Sequence, residues 1–164
     1  MKIFAVALVL FSGLVGAAQA AERSAEPLPR FVSLRADIVN LRTGPGSRYP
    51  IEYVYRRKGY PLEIVAEFDQ WRQVRDWQGT EGWVHQRMVN GTRNVIIQGA
   101  QRMLRASADT GAAPVAKLDP GVIAHLLECN AAACRIEVQN GTSDVKGWLG
   151  RNEIWGVLPG EVVK

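Results

Sequence analysis

The sequence has few of the residues that bind metals or act as nucleophiles, with two cysteines and two histidines among 164 residues. A metal site would have to use His125, Cys129 and Cys134, whose spacings match none of the usual zinc patterns built from two ligand pairs. The chain also has no Gly-x-Ser-x-Gly motif and no phosphate-binding Gly-Lys-Thr segment. We therefore expect no metal, no cofactor and no catalytic residues, and predict that the protein is not an enzyme.

Neither sign of charge dominates the sequence. The formal net charge is +4, with 20 basic and 16 acidic residues. This small excess allows attraction to anionic wall polymers or lipid head groups without requiring it. Basic residues interleaved with aromatic ones also occur in proteins that bind nucleic acids. The export signal described next argues against that class, so we predict no nucleic-acid partner.

Long hydrophobic runs are also scarce. The one that stands out lies at the N-terminus. Residues 3–15 are apolar and uncharged, follow Lys2, and lead to Ala18-Gln19-Ala20. This arrangement is typical of a secretory signal peptide, here residues 1–20. A membrane anchor is the alternative, but a spanning helix needs about 20 apolar residues. We therefore expect a periplasmic or secreted protein with no integral membrane segment after signal cleavage.

The rest of the sequence contains an internal repeat. Leu41-Arg42 recurs as Leu104-Arg105, at a spacing of 63 residues, and Gly82-Trp83 recurs as Gly147-Trp148, at a spacing of 65. Between these markers, short alternating or β-branched segments are separated by turn residues, and few segments show a helical period. The pattern predicts an all-β protein built from two similar units.

The first copy resembles a known family. The phrase Val-Asn-Leu-Arg-Thr-Gly-Pro-Gly at 39–46 and the closing Gly82-Trp83-Val84 resemble the bacterial SH3 (SH3b) domain. The second copy resembles it more weakly, because residues 106–109 replace the Gly-Pro-Gly loop. The resemblance implies two small SH3-like five-stranded barrels in tandem. The predicted order is a signal peptide at 1–20, a short linker at 21–30, SH3b-like domains at 31–90 and 93–158, and a tail at 159–164.

The two cysteines are predicted to form a disulfide. Cys129 and Cys134 lie on either side of a four-residue turn between predicted strands, so they should face each other across a hairpin. An exported protein meets the oxidising conditions under which such bonds persist. In the first copy Trp71 aligns with Cys134, which suggests that the disulfide replaces the packing of that tryptophan.

Aromatic residues concentrated in the first copy indicate a ligand site there. If Val54 and Val84 point into the barrel, then Tyr53, Tyr55 and Trp83 point outward. The predicted groove is lined by aromatic side chains and has arginines at its rim. Its members are Tyr49, Tyr53, Trp71, Trp83, Arg42 and Arg48. The acidic residues Glu63, Glu67, Asp69 and Asp76 are interpreted as solvated strand edges.

The family resemblance implies a function at the cell envelope. We predict a non-catalytic protein that binds cell-wall peptidoglycan or its stem peptide. One alternative is an adaptor that docks on an envelope protein through the same groove or through exposed strands. A cell-wall hydrolase, or the activating subunit of one, is a further alternative and the least favoured.

The signal-peptide hypothesis predicts cleavage after Ala20, because Ala18 and Ala20 are small residues at both recognition positions. Mass spectrometry of the exported form should give a chain that begins at Ala21. Retention of Met1 in a membrane fraction would contradict the prediction.

Overall fold

The computed structural model describes residues 26–141 and 143–164. The predicted signal peptide and its cleavage site lie outside these residues. Within them, no helix is long and apolar enough to cross a membrane. Two single-turn 3-10 helices, Gln86–Met88 and Arg151–Glu153, are the helical elements of this part of the chain, and strands make up the rest of its regular structure.

In the described part of the chain, fourteen strands form two antiparallel sheets of seven strands each. The first sheet, which we call the first barrel, contains β1 (Arg30–Leu34), β2 (Val39–Arg42), β3 (Ile51–Tyr55), β4 (Pro61–Phe68), β5 (Trp71–Arg75), β6 (Glu81–His85) and β7 (Val89–Asn90). The second barrel contains β8 (Asn94–Ile97), β9 (Arg102–Arg105), β10 (Pro114–Leu118), β11 (Ile123–Cys129), β12 (Ala133–Asn140), β13 (Ser143–Gly150) and β14 (Ile154–Trp155).

The two sheets have the same strand order. In the first it is β3-β2-β6-β5-β4-β1-β7, and in the second β10-β9-β13-β12-β11-β8-β14. The predicted all-β fold with SH3-like units is confirmed. Each sheet has seven strands where five were expected. One of the two additional strands in each sheet is the last, which is only two residues long and leaves no alternating pattern in the sequence.

Each barrel has its own hydrophobic core. In both, buried aliphatic side chains from neighbouring strands face one another, as the alternation along a half-buried strand requires. Fully buried members of the first core include Leu34, Leu41, Leu62, Ile64, Val74 and Val84. Fully or almost fully buried members of the second core include Val95, Ile97, Leu104, Ile136 and Leu149.

The repeated leucine and glycine form the same contact in each barrel. A Cβ atom added to Gly82 would lie 2.6 Å from Leu41 Cγ, and one added to Gly147 would lie 2.6 Å from Leu104 Cγ. Only a residue without a side chain lets the leucine lie this close to the neighbouring strand. This contact explains why the two copies share these residues.

The repeated arginine holds the long loop that follows it. Arg42 Nη1 donates a hydrogen bond to the carbonyl of Tyr49 at 2.7 Å, and Arg105 Nη1 donates to the carbonyl of Ala112 at 2.9 Å. Each bond spans seven residues. The shared Leu-Arg pair is thus part of the fold in both barrels.

Cys129 and Cys134 form the predicted disulfide across β11 and β12. The register of the two sheets corrects the interpretation of what the bond replaces. Leu149 and Val84 are equivalent, because each follows the repeated Gly-Trp pair. Cys134 pairs with Leu149, and Arg72 pairs with Val84, so Arg72 is the residue equivalent to Cys134. Trp71 instead corresponds to Ala133. The hairpin between β12 and β13 is longer than the one between β5 and β6, so counting along the sequence aligns Trp71 with the wrong residue.

The residue equivalent to Cys129 is Glu67, which pairs with Arg72 in the first barrel. Arg72 Nε lies 2.9 Å from Glu67 Oε1. A covalent bond in the second barrel therefore occupies the place of an ion pair in the first.

Several contacts join the barrels. The rings of Phe31 and Trp155 meet edge to face with centroids 4.8 Å apart. Asn94 Nδ2 donates to the carbonyl of Gly59 at 2.7 Å, and Arg57 Nη1 donates to that of Gly121 at 3.2 Å. The barrels therefore touch through both apolar and polar groups.

Replacing both cysteines by alanine should lower the free energy of unfolding of the second barrel by about 2 kcal/mol, the loop-entropy value for so short a ring. Thermal and denaturant melts of the variant and the oxidised protein measure this difference. Two titratable thiols in the native protein purified without reductant would contradict the disulfide.

Candidate functional site

Four aromatic rings surround a buried carboxylate in the first barrel. We call Tyr53, Tyr55, Tyr60, Asp76 and Trp77 the tyrosine–aspartate cluster. The ring centroids of Tyr53 and Tyr55 are 4.9 Å apart, and those of Tyr55 and Tyr60 are 5.2 Å apart. Such separations are typical of stabilising aromatic pairs.

Strand β3, the turn before β4 and the turn after β5 supply these side chains. Tyr53 and Tyr55 are two residues apart on β3, so they share a face. Tyr60 precedes β4, and its carbonyl accepts the amide of Leu34 at 3.0 Å. The turn between β5 and β6 carries Asp76 and Trp77. Three segments distant in sequence thus converge.

Asp76 is 3% exposed, and both of its carboxylate oxygens accept hydrogen bonds. Oδ1 accepts the amides of Gln78 and Thr80, each at 2.9 Å, which closes the turn between β5 and β6. Oδ2 accepts the hydroxyl of Tyr55 at 3.2 Å. Burial of a charge without partners destabilises a fold by roughly several kcal/mol. These hydrogen bonds offset that penalty and so allow the carboxylate to be buried.

The surroundings keep two phenols protonated. Burial, followed by the charge and the hydrogen bond of Asp76, raises the pKa of Tyr55 well above its ordinary value. Burial and the charge of Asp76 raise the pKa of Tyr60 to about 12, although a Trp77 hydrogen bond and the Arg57 charge act in the opposite direction. These two phenols therefore stay protonated to a higher pH than an exposed tyrosine does.

The second barrel has aliphatic side chains in place of the cluster. Ala116 pairs with Leu104 as Tyr53 pairs with Leu41. By the same register, the residues equivalent to Tyr53, Tyr55, Tyr60 and Asp76 are Ala116, Leu118, Val122 and Val138. All four pack in or against the second core. The fold therefore closes without phenols or a carboxylate at these positions.

The cluster has an accessible side. Tyr53 is 50% exposed, Tyr60 and Trp77 are half-buried, and Tyr55 is buried beneath them. A ligand that approached the cluster would contact Tyr53, Tyr60 and Trp77, while Tyr55 and Asp76 would support these rings from below.

The six residues predicted for the site do not form one group. Tyr53 pairs with the buried Leu41 and belongs to the cluster. Trp83 pairs with Arg42 and lies on the opposite face of the sheet, because Arg42 follows Leu41 on β2. Two faces of the first barrel therefore carry the predicted aromatic residues.

The remaining predicted residues lie on or near the long loop and on β5. The Tyr49 ring packs on the loop, against the position that a Cβ atom of Gly44 would occupy. Trp71 meets His85 edge to face at 5.4 Å. Arg48 is exposed, whereas Arg42 is half-buried and bonded to the carbonyl of Tyr49. Arg42 thus holds the loop instead of forming a free rim.

Two expectations about burial were wrong. Tyr55 was expected to point outward, but it is only 3% exposed. It pairs with the buried Val39 on β2 and therefore faces the core. Asp76 was expected at a solvated edge and is buried by the bonds described above. The sequence signal that indicates both is the comparison between copies, where Tyr55 and Asp76 stand opposite Leu118 and Val138.

Residues 35–91 match the bacterial SH3 domain. The matched range covers β2 to β7 and therefore includes the long loop and the whole cluster. It ends before the second barrel begins, so membership of the second copy in this family stays a prediction, supported by its identical strand order.

No curated protein matches the chain. Two solved structures, NlpC1 and NlpC2 from Trichomonas vaginalis, are similar at 12% and 11% sequence identity, each with a TM-score of 0.36. The matches cover 80% of this chain and 47% and 49% of those proteins. The chain thus spans about half the length of these two proteins.

The raised pKa of Tyr60 predicts a loss of stability in alkali. Its ordinary value is 10.0 and its folded value is about 12, so the stabilisation is complete below pH 10 and is lost as pH rises from 10 towards 12. Denaturant melts across this range should show the free energy of unfolding falling with pH. Tyr60→Phe should reduce the slope without abolishing it, since Tyr55 is shifted in the same direction. An unchanged slope in the variant would contradict the assignment.

Proposed function

We propose that the protein is an exported, non-catalytic binding protein that recognises a cell-envelope component through the tyrosine–aspartate cluster. Peptidoglycan, and its stem peptide in particular, is the ligand class that the family resemblance implies. The observation that carries this proposal is the difference between the barrels. Equivalent positions hold three phenols and a carboxylate in one and only aliphatic side chains in the other.

The chemistry of the cluster suits a peptide or sugar ligand. Exposed and half-buried rings offer flat apolar surfaces, and the phenol hydroxyls offer hydrogen-bond donors and acceptors. Because Asp76 is buried and bonded on both oxygens, its role is to hold Tyr55 and the turn that carries Trp77. Rings supported from below lose little conformational freedom when a ligand binds.

Export is supported by the N-terminal sequence and is compatible with the disulfide. A bond between Cys129 and Cys134 suits an oxidising compartment such as a periplasm or an extracellular space. Localisation there would bring the protein to the cell wall.

A binding role is favoured over a hydrolytic one by the state of the candidate nucleophiles and bases. Both cysteines are bonded to each other, so neither offers a thiolate. His85 Nε2 lies 3.0 Å from Gln70 Oε1, and its Nδ1 accepts the amide of Arg87 at 3.2 Å, which caps a 3-10 helix. His125 Nδ1 lies 3.3 Å from Asn94 Oδ1. Each histidine thus has a structural partner, and a wall hydrolase or its activating subunit remains the least favoured alternative.

An adaptor that docks on an envelope protein is the second candidate. The open edge of β3 in the first barrel is the feature that favours it.

Substitution of Tyr53 tests the wall-binding proposal. Tyr53→Ala introduces the side chain that the second barrel has at the equivalent position, so the barrel should fold. Loss of an anchoring ring costs about 2 kcal/mol or more, roughly 30-fold in affinity. Co-sedimentation with purified sacculi should show a loss of this size, and release of soluble muropeptides should stay at background if the protein is not a hydrolase.

Trp148→Ala is the matched control, since it removes an aromatic ring from the second barrel. Trp83→Ala reports on the opposite face of the first barrel. Folding of each variant is checked by thermal melts. If Trp148→Ala abolishes sacculus binding while folded Tyr53→Ala and Trp83→Ala bind normally, the site lies in the second barrel and the proposal is wrong.

A further inference from the structure

Each sheet ends in one short edge strand and one longer one. The short edges are β7 and β14, of two residues each, and the longer edges are β3 and β10, of five residues each. An edge strand presents unpaired backbone N–H and C=O groups, to which another extended chain can add. Of these four edges, β3 and β10 are long enough to hold such a chain.

The edge of β10 carries two protective residues that the edge of β3 lacks. β10 begins with Pro114, which has no N–H to donate, and carries Lys117, a charge that disfavours pairing with another strand. Pro114 faces Arg105 as Ile51 faces Arg42, so Ile51 is the equivalent residue in β3. Val54 is the residue equivalent to Lys117. At these two positions β3 has an apolar residue where β10 has a protective one, whereas at the equivalent positions Glu52 and Val115 it is β3 that carries the charge.

Apolar side chains are exposed along the β2–β3 hairpin. Ile51 is 48% exposed and Tyr53 is 50% exposed, both on β3. Ile38, just before β2, is 60% exposed, and Tyr49, just before β3, is 38% exposed. Ile51 and Tyr53 lie on the open edge strand itself. Ile51 faces Arg42 and Tyr53 faces Leu41, so they lie on opposite faces of the sheet, and side chains on the two faces of an added strand would contact them.

Basic residues flank the open edge at both ends. Arg48 precedes β3, Arg56 and Lys58 follow it, and all three are exposed. Between residues 48 and 58 the sequence has four basic residues and one acidic residue, Glu52. The field around β3 is therefore positive, and it favours a partner with carboxylates near the ends of the docked segment.

We propose that β3 binds an extended acidic segment of another protein, which adds to the first sheet as an eighth strand. Main-chain hydrogen bonds to β3 would hold the segment, apolar side chains on it would cover Ile51 and Tyr53, and its carboxylates would meet Arg48 and Arg56. The proposal shares Tyr53 with the wall-binding proposal, but it depends on the backbone of β3. Protection of the amides of 51–55 and the effect of Ile51→Pro therefore test it separately from sacculus binding.

The charges argue against a second copy of this chain as the occupant. Antiparallel pairing of two β3 strands would bring Arg48 of one copy towards Arg56 and Lys58 of the other. Like charges placed opposite each other across strands are destabilising. An acidic partner removes this repulsion and replaces it with attraction.

Binding of a designed peptide tests the proposal on the full exported chain. The probe is the end-blocked peptide Glu-Glu-Val-Thr-Val-Thr-Glu-Glu, and a version with lysine in place of every glutamate is the charge control. Hydrogen exchange should show protection of the amides of 51–55 by the acidic peptide and not by the basic one. Fluorescence anisotropy of a labelled peptide gives the affinity and its decrease with added salt.

Ile51→Pro should weaken binding of the acidic peptide by about tenfold or more. The substitution removes a backbone N–H from the edge of β3 and disfavours the addition of another strand. The barrel should still fold, since Pro114 occupies the equivalent position in the second barrel. Ile51→Val keeps the amide and is the matched control. Arg48→Gln combined with Arg56→Gln should weaken binding severalfold and flatten its salt dependence, whereas Lys117→Gln should change neither.

Three results would overturn the proposal. One is absence of protection at 51–55 with the acidic peptide at millimolar concentration. Another is equal binding of the lysine peptide. The third is a concentration-dependent dimer in sedimentation without peptide that Ile51→Pro abolishes, since the edge would then be an interface between two copies.

Discussion

Both barrels depend on the place where a leucine side chain lies against a glycine of the neighbouring strand. Leu41 meets Gly82 and Leu104 meets Gly147 at distances that no side chain on the second strand would permit. The contact brings β2 beside β6, and β9 beside β13, where only one residue pair joins the strands in each sheet. The arginine that follows each leucine then fixes the long loop. Core closure, loop position and the orientation of Trp83 and Trp148 all follow from this approach.

The two barrels share this fold but have different side-chain interactions at equivalent positions. Where β4 meets β5, an ion pair joins Glu67 and Arg72, and the equivalent strands of the second barrel are joined by a disulfide. Where β3 approaches the turn after β5, a phenol and a carboxylate share a hydrogen bond, and the second barrel packs aliphatic groups there. The second barrel is thus the more apolar and covalently braced of the two, and the first keeps the polar and aromatic groups.

Much of the fold follows from the sequence, because it is encoded locally. Alternating residues, turn residues and the repeated Leu-Arg and Gly-Trp pairs indicate short strands in two units, and the cysteine spacing indicates a hairpin disulfide. The candidate site is harder to predict because it depends on contacts between distant segments. Asp76 cannot be distinguished from a solvated acid in the sequence, because the side-chain hydrogen bond that helps to bury it comes from Tyr55, 21 residues away. Likewise, Tyr53 and Trp83 lie on opposite faces because they pair with the consecutive residues Leu41 and Arg42, and this depends on the register of three strands that no local pattern marks.

The contact between Phe31 and Trp155 has a mechanical consequence. Phe31 lies in the first strand of the first barrel and Trp155 in the last strand of the second, so this ring pair joins the start of one barrel to the end of the other. After Trp155 the chain runs back along the second barrel, where Val163 pairs with Cys129. Tension applied to the two ends of the described chain would therefore have to release the Val163 bridge before it pulled the rings apart. Only then would the barrels swing apart about the segment between β7 and β8.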